Sequence, residues 1–145
     1  MKLVIQRVSQ ASVSVNDQII GQIEKGLLIL IGVAKGDTKH EVDYLVSKVI
    51  NLRIFADNND KMNLSIKDVK GSILVVSQFT LYGDTKRGNR PSFVEAAEPK
   101  VAEDRYNHFV NEIKAKGIKV ETGKFRVMMQ ISLVNDGPVT IILER

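Results

Sequence analysis

Along the chain, apolar and polar positions change period several times, and each change marks an element. Leu3 to Val8 is rich in apolar residues, after which Ala11, Val13 and Val15 alternate with Ser12 and Ser14, the period-two signature of a strand. Asn16-Asp17 reads as a hairpin turn into Gln18–Ile23, and Lys25-Gly26 as a second turn into the continuous apolar run Leu27–Ala34. The period then lengthens. Val42, Leu45, Val46, Val49 and Ile50 form one helical stripe, preceded by Thr38 and Glu41 at capping-box spacing.

Leu52–Ala56 reads as a strand, followed by the turn-rich Asp57-Asn58-Asn59-Asp60, the alternating Met62, Leu64 and Ile66, and a strong strand over Ser72–Leu81. A polar, Gly-containing loop from Tyr82 to Pro91 separates this strand from a second helix. Pro99 suits the start of that helix, Ala102, Tyr106, Phe109, Val110 and Ile113 form its apolar face, and Gly117 stops it. Strands around Ile118–Glu121, Met128–Val134 and Val139–Leu143 finish the chain. Strands outnumber helices and occur in runs. The expectation is one α+β domain over residues 1–145, with a mostly antiparallel sheet forming a barrel-like core and two main helices.

Composition narrows the chemistry. Cysteine is absent, which removes disulfides, thiolate nucleophiles and sulfur-ligated metals. The two histidines, His40 and His108, fall in different helices, so a histidine metal site or a Ser–His–Asp triad has little support, and no metal or cofactor is expected. The longest apolar run is too short to span a bilayer and no signal-like segment opens the chain, so a soluble cytoplasmic protein with no membrane partner is expected. The formal charge is +4, from 21 basic and 17 acidic residues, a mild excess that permits an anionic partner without requiring one.

Two segments carry candidate chemistry. The apolar Ile73–Val76 gives way abruptly to Ser77-Gln78-Phe79-Thr80-Leu81, placing three hydrogen-bonding side chains at the end of a buried strand. By alternation alone these could simply face solvent. Val134-Asn135-Asp136-Gly137-Pro138-Val139-Thr140 is a strong turn signal between two strands, and its plain reading is a hairpin loop. Its Gly–Pro bond can be cis at modest cost, and a bare glycine admits a ligand close to the backbone.

Together these two segments resemble the paired signature motifs of the D-aminoacyl-tRNA deacylases. Their surroundings agree: Gln6-Arg7-Val8, Arg53-Ile54-Phe55, Lys61-Met62-Asn63-Leu64, Arg87 to Phe93, and Thr122-Gly123-Lys124-Phe125. The resemblance implies a homodimer. Each of its sites joins Ser77, Gln78, Phe79 and Thr80 of one chain to a cis Gly137–Pro138 turn of the other. It implies hydrolysis of the ester on the 3′-terminal adenosine of D-aminoacyl-tRNA, with L-amino acids rejected at the turn, glycine leaking through, and no DNA partner. It assigns Arg7 and Asn135 to the turn. Phe79 and Met62 are assigned to packing of the terminal adenine, where core packing is the alternative. Lys86, Arg87 and Arg90 are assigned to the tRNA backbone, where solvated surface charge is the alternative. Three other readings compete: a non-enzymatic RNA-binding domain, a free-standing synthetase editing domain and a plain dimeric scaffold.

Overall fold

The computed structural model describes residues 1–145. Its first strand is its longest but one: β1 (Lys2–Val15) pairs antiparallel with β2 (Gln18–Ile23) along its second half and with β3 (Gly26–Gly32) along its first. The Asn16-Asp17 turn takes left-handed backbone at both residues, φ 48° and 61°, which suits a tight two-residue hairpin.

Helix α1 (Lys39–Asn51) follows, capped as its spacing predicts. Thr38 Oγ1 accepts from His40 N at 3.2 Å, and the Glu41 carboxylate accepts from Thr38 N at 2.7 Å. Its stripe Val42, Leu45, Val46, Val49 and Ile50 is buried, each such side chain contributing roughly 1.5–3 kcal/mol. β4 (Phe55–Ala56) and β5 (Met62–Leu64) form a separate two-stranded antiparallel sheet. β6 (Ser72–Ser77) runs parallel to β3, and β7 (Val120–Thr122) runs parallel to β6. Between them lies α2 (Pro99–Ala115), which starts on Pro99 and buries Tyr106, Phe109, Val110 and Ile113. The last strand, β8 (Gln130–Glu144), pairs antiparallel with β1 over nearly the whole length of both.

The main sheet is therefore mixed: β1 pairs antiparallel with β2, β3 and β8, whereas β6 pairs parallel with β3 and β7. β3 and β6 bury both faces, and that is why their sequences are almost wholly apolar. Leu27, Ile29, Ile31, Ile73 and Val75 face a large core beneath the two helices, whereas Leu28, Leu74 and Val76 face a second core with Val8, Ala11, Val13 and Ile23. That second core lies inside the curl of the sheet. Gly21 on β2 sits so near β7 that an added Cβ would lie 3.0 Å from the Thr122 carbonyl oxygen, so the sheet is almost closed.

Three other boundaries depart from the sequence pattern. The strand expected over Leu52–Ala56 survives only at Phe55–Ala56. The strand expected over Ser72–Leu81 ends at Ser77. Asn135–Pro138 is no hairpin loop between two strands but a bulge inside the continuous β8. Gln6 pairs with Thr140 and Val8 with Asn135, so two residues of advance on β1 meet five on β8. Turn chemistry reads the same in both settings, and only the long-range pairing with β1 distinguishes them. No helix is long and apolar enough to cross a membrane.

Candidate active site

Where β6 ends, the chain turns sharply. Gln78 N still donates to Ile31 O at 2.8 Å, extending the ladder by one residue, and Phe79–Tyr82 then form one 3-10 turn. Ser77, Gln78 and Thr80 thus do not alternate along a strand. The leading N–H groups of any helical turn lack acceptors within it, and those of Phe79 and Thr80 find none elsewhere in the chain. Gln78 Nε2 donates to Thr80 Oγ1, which ties the two side chains together. Phe79 is 59% exposed and packs edge-to-face against Phe93, ring centroids 5.0 Å apart.

These residues line part of a cleft of about 720 Å³. The rest of its lining is mostly apolar, with Ile31, Val33, Val76, Ala102 and Phe125, and it includes the Arg126–Met129 segment. Tyr106 of α2 also lines it and donates its hydroxyl to Val75 O at 3.0 Å, tying the helix to β6 just below the turn. Burial pushes the Tyr106 phenol up to about 12, so it stays a neutral donor throughout the physiological range. A concave apolar site of this volume, edged by a few polar groups, suits a flat ring with a polar attachment. Glu98 and Arg126 are the only charged residues lining it.

The Gly137–Pro138 segment is elsewhere. The bond between these residues is cis. Arg7 Nε donates to Asp136 O at 2.9 Å and lies 3.2 Å from the Asp136 carboxylate, while Arg7 Nη1 donates to Ile54 O at 2.5 Å. Asn135 Oδ1 accepts from Val139 N at 3.1 Å, closing the bulge from within. Gly137, at φ 136°, occupies backbone space that side chains rarely share, and an added Cβ would lie 2.8 Å from Val139 Cγ2 and 2.9 Å from Val139 N. Gly137 and Pro138 are both exposed.

The expected site residues thus fall into separate groups. Ser77, Gln78, Phe79 and Thr80 share the cleft, whereas Arg7, Asn135, Gly137 and Pro138 share the bulge and line no part of that cleft. From β8 to β6 the sheet passes through β1 and β3, three strand spacings or roughly 15 Å. Met62 lies on β5, 55% exposed and away from the cleft. Lys86, Arg87 and Arg90 are exposed on a loop closed by paired backbone bonds between Asp84 and Ser92, both 2.8 Å. No site role was expected from the sequence for the Arg126–Met129 segment of the lining or for Tyr106. The Tyr106 hydroxyl hides within an apolar helix stripe, and the segment follows no periodicity.

A solved chain described as c-Myc DNA Unwinding Element Binding Protein matches over 100% of this chain and 99% of its own, with a TM-score of 0.94 and 41% identity. Another, from work described as Structural Analysis of a probable eukaryotic D-amino acid tRNA deacylase, matches over 98% and 97% with a TM-score of 0.84. At 18% identity the latter speaks for the fold alone. The nearly closed sheet with its cleft at the end of β6 thus defines the class of fold, an α+β domain shared with both solved chains. Relatives named D-aminoacyl-tRNA deacylase include one from Desulfatibacillum aliphaticivorans, 59% identical over 144 residues covering 99% of both chains. Another, from Koribacter versatilis (strain Ellin345), is 56% identical over 99% of this chain and 97% of its own. The model of the family described as D-Tyr-tRNA(Tyr) deacylase matches residues 4–144, and the chain belongs to that family.

Proposed function

We propose that this chain hydrolyses the ester joining a D-amino acid to the 3′-terminal adenosine of tRNA, releasing free amino acid and tRNA. It does so as a homodimer, each site joining the Ser77–Thr80 cleft of one copy to the Gly137–Pro138 turn of the other. The observation that carries this reading is the separation just described. Phe79 and Thr80 of one motif and Gly137 and Pro138 of the other are exposed, yet one chain holds the turn outside the cleft. A second copy is the simplest source of the missing wall.

The terminal adenine enters the apolar cleft, with Phe79 at its mouth offering a face or edge to the base. This sets the ester carbonyl beside the unpaired N–H groups of Phe79 and Thr80. Those two donors fit the negative charge that grows on the carbonyl oxygen as a nucleophile adds. Water is that nucleophile. Its oxygen bonds to the carbonyl carbon, the bond to the ribose 3′-oxygen breaks, and the leaving oxygen takes a proton, with the neighbouring ribose 2′-hydroxyl assisting the transfer. Thr80 is a poor alternative, because the one hydrogen-bond partner of its hydroxyl is the Gln78 amide nitrogen, which cannot take its proton. The histidines are also engaged elsewhere: His108 contacts Asp43 at 2.8 Å, and His40 lies 3.5 Å from Glu41.

Selection between mirror-image substrates needs a wall that does not yield. The bulge qualifies, since Arg7 grips it from one side and Asn135 from within. An L side chain collides with the turn while a D side chain points away, so rejection works by clash. Glycine has nothing to collide, and glycyl-tRNA is hydrolysed as well.

The two-chain site is tested by mixing variants. Phe79→Pro removes one oxyanion donor at a turn position that tolerates proline, and Gly137→Ala places a methyl group against Val139. Each is inactive alone. Co-refolded in equal amounts, they regain roughly a quarter of the unmodified rate, because half the dimers carry one intact site of two. No recovery in demonstrably mixed dimers contradicts a site shared between chains.

A further inference from the structure

Of the twenty residues that line the cleft, Arg126 is the only cation. Its side chain forms no ion pair and no hydrogen bond, and it does not pair with Glu98, the one carboxylate of the lining. Its backbone is left-handed at φ 59°, where L side chains other than Asn and Asp are uncommon. The surrounding loop nonetheless has contacts on both sides of Arg126. Phe125 packs against Tyr106 with ring centroids 5.9 Å apart, Val127 N donates to Lys124 O at 3.4 Å, and Lys124 N donates to Met129 Sδ at 3.2 Å. An exposed guanidinium with no partner thus belongs to the lining of an apolar cleft that also includes the Ser77–Thr80 segment.

We propose that Arg126 receives the phosphodiester attached to the 5′-oxygen of the terminal adenosine. The proposal rests on the deacylase reading and deepens it by assigning one residue to one phosphate. The terminal nucleotide of the substrate carries that single negative charge close to its ribose. Apolar cleft walls raise the cost of bringing the charge close unless a cation meets it. A guanidinium meets a phosphate through two parallel N–H donors and so fixes orientation as well as charge. With the base in the cleft and the ester at Phe79 and Thr80, the 5′-phosphate is left to the one cation of the cleft's lining, Arg126. Lys86, Arg87 and Arg90 lie on a different loop and are placed for phosphates further along the chain. Arg126 is accordingly a positioning residue that holds the ester in register without touching it.

The test uses three substrates: the D-tyrosyl esters of adenosine, of adenosine 5′-monophosphate and of tRNA. Arg126→Ala raises KM about ten- to hundredfold for the two esters that carry the phosphate. It leaves kcat within about twofold and the adenosine ester unaffected, and Arg126→Lys recovers part of the loss. Arg126→Gly, which accepts φ 59° freely, matches Arg126→Ala and so separates loss of the side chain from relaxation of the backbone. Equal loss on all three esters, or no loss on any, overturns the assignment while leaving the deacylase reading intact. Failure of the unmodified protein to hydrolyse any of the three overturns that reading, and this assignment with it.

Discussion

Arg7 and Asp136 lie on neighbouring strands, and the Arg7 Nε–H donates to the Asp136 main-chain oxygen at 2.9 Å just before the Gly137–Pro138 bond. A second arm of the same guanidinium reaches Ile54 O at 2.5 Å, so one planar group joins the bulge to the segment entering the small sheet. Lysine cannot serve both carbonyls in fixed geometry. Arg7→Lys is therefore expected to lower deacylation by about tenfold or more while costing roughly 1–3 kcal/mol of stability. Steady-state kinetics with thermal unfolding checks this. Full activity in Arg7→Lys would sink the idea that the turn must be braced.

Thr80 has the chemistry of a nucleophile and the surroundings of a positioning group. Its hydroxyl accepts from Gln78 Nε2, and neither histidine contacts it. Thr80→Ala removes that hydrogen bond but keeps the backbone N–H, so the rate should fall by no more than about tenfold. A collapse to background with folding intact, measured by single-turnover hydrolysis and circular dichroism, would restore Thr80 as the attacking group.

The cap of α1 predicts a pH dependence remote from the site. Hydrogen bonds from the Thr38 side chain and backbone, together with the Glu41 backbone N–H, lower the Glu41 carboxyl from its ordinary 4.5 to about 2. A folded value below the unfolded one means the carboxylate stabilises the fold fully above pH 4.5 and loses that effect as pH falls toward 2. Glu41→Gln should flatten the acid limb of the stability profile in that window and leave deacylation at neutral pH unchanged. An acid unfolding curve identical to that of the unmodified protein would contradict the assignment.

How much of this was legible in the sequence varied with the range of the interaction responsible. α1 was readable in full, because its cap and stripe are local: Thr38 and Glu41 lie three residues apart, and Val42 to Ile50 keep one period. The same holds for Pro99 and the buried face of α2. The parallel pairings of β3 with β6 and of β6 with β7 were not readable, since nothing within an apolar run states the direction of its neighbour. The Asn135–Pro138 bulge was misplaced as a loop for the same reason: its meaning lies in Gln6 and Val8 of β1, more than a hundred residues away. At the site, resemblance pointed to Ser77–Thr80 and Gly137–Pro138, while the apolar cleft that the end of β6 lines together with the Arg126–Met129 segment emerged only on folding.

The central claim is chiral hydrolysis at a rigid turn, and the most direct test is deacylation of D-tyrosyl-, L-tyrosyl- and glycyl-tRNA by the purified protein at substoichiometric enzyme. The account predicts many turnovers on the D ester, measurable hydrolysis of the glycyl ester, and an L ester lost no faster than in buffer alone. Equal loss of the D and L esters, or of neither, would contradict it.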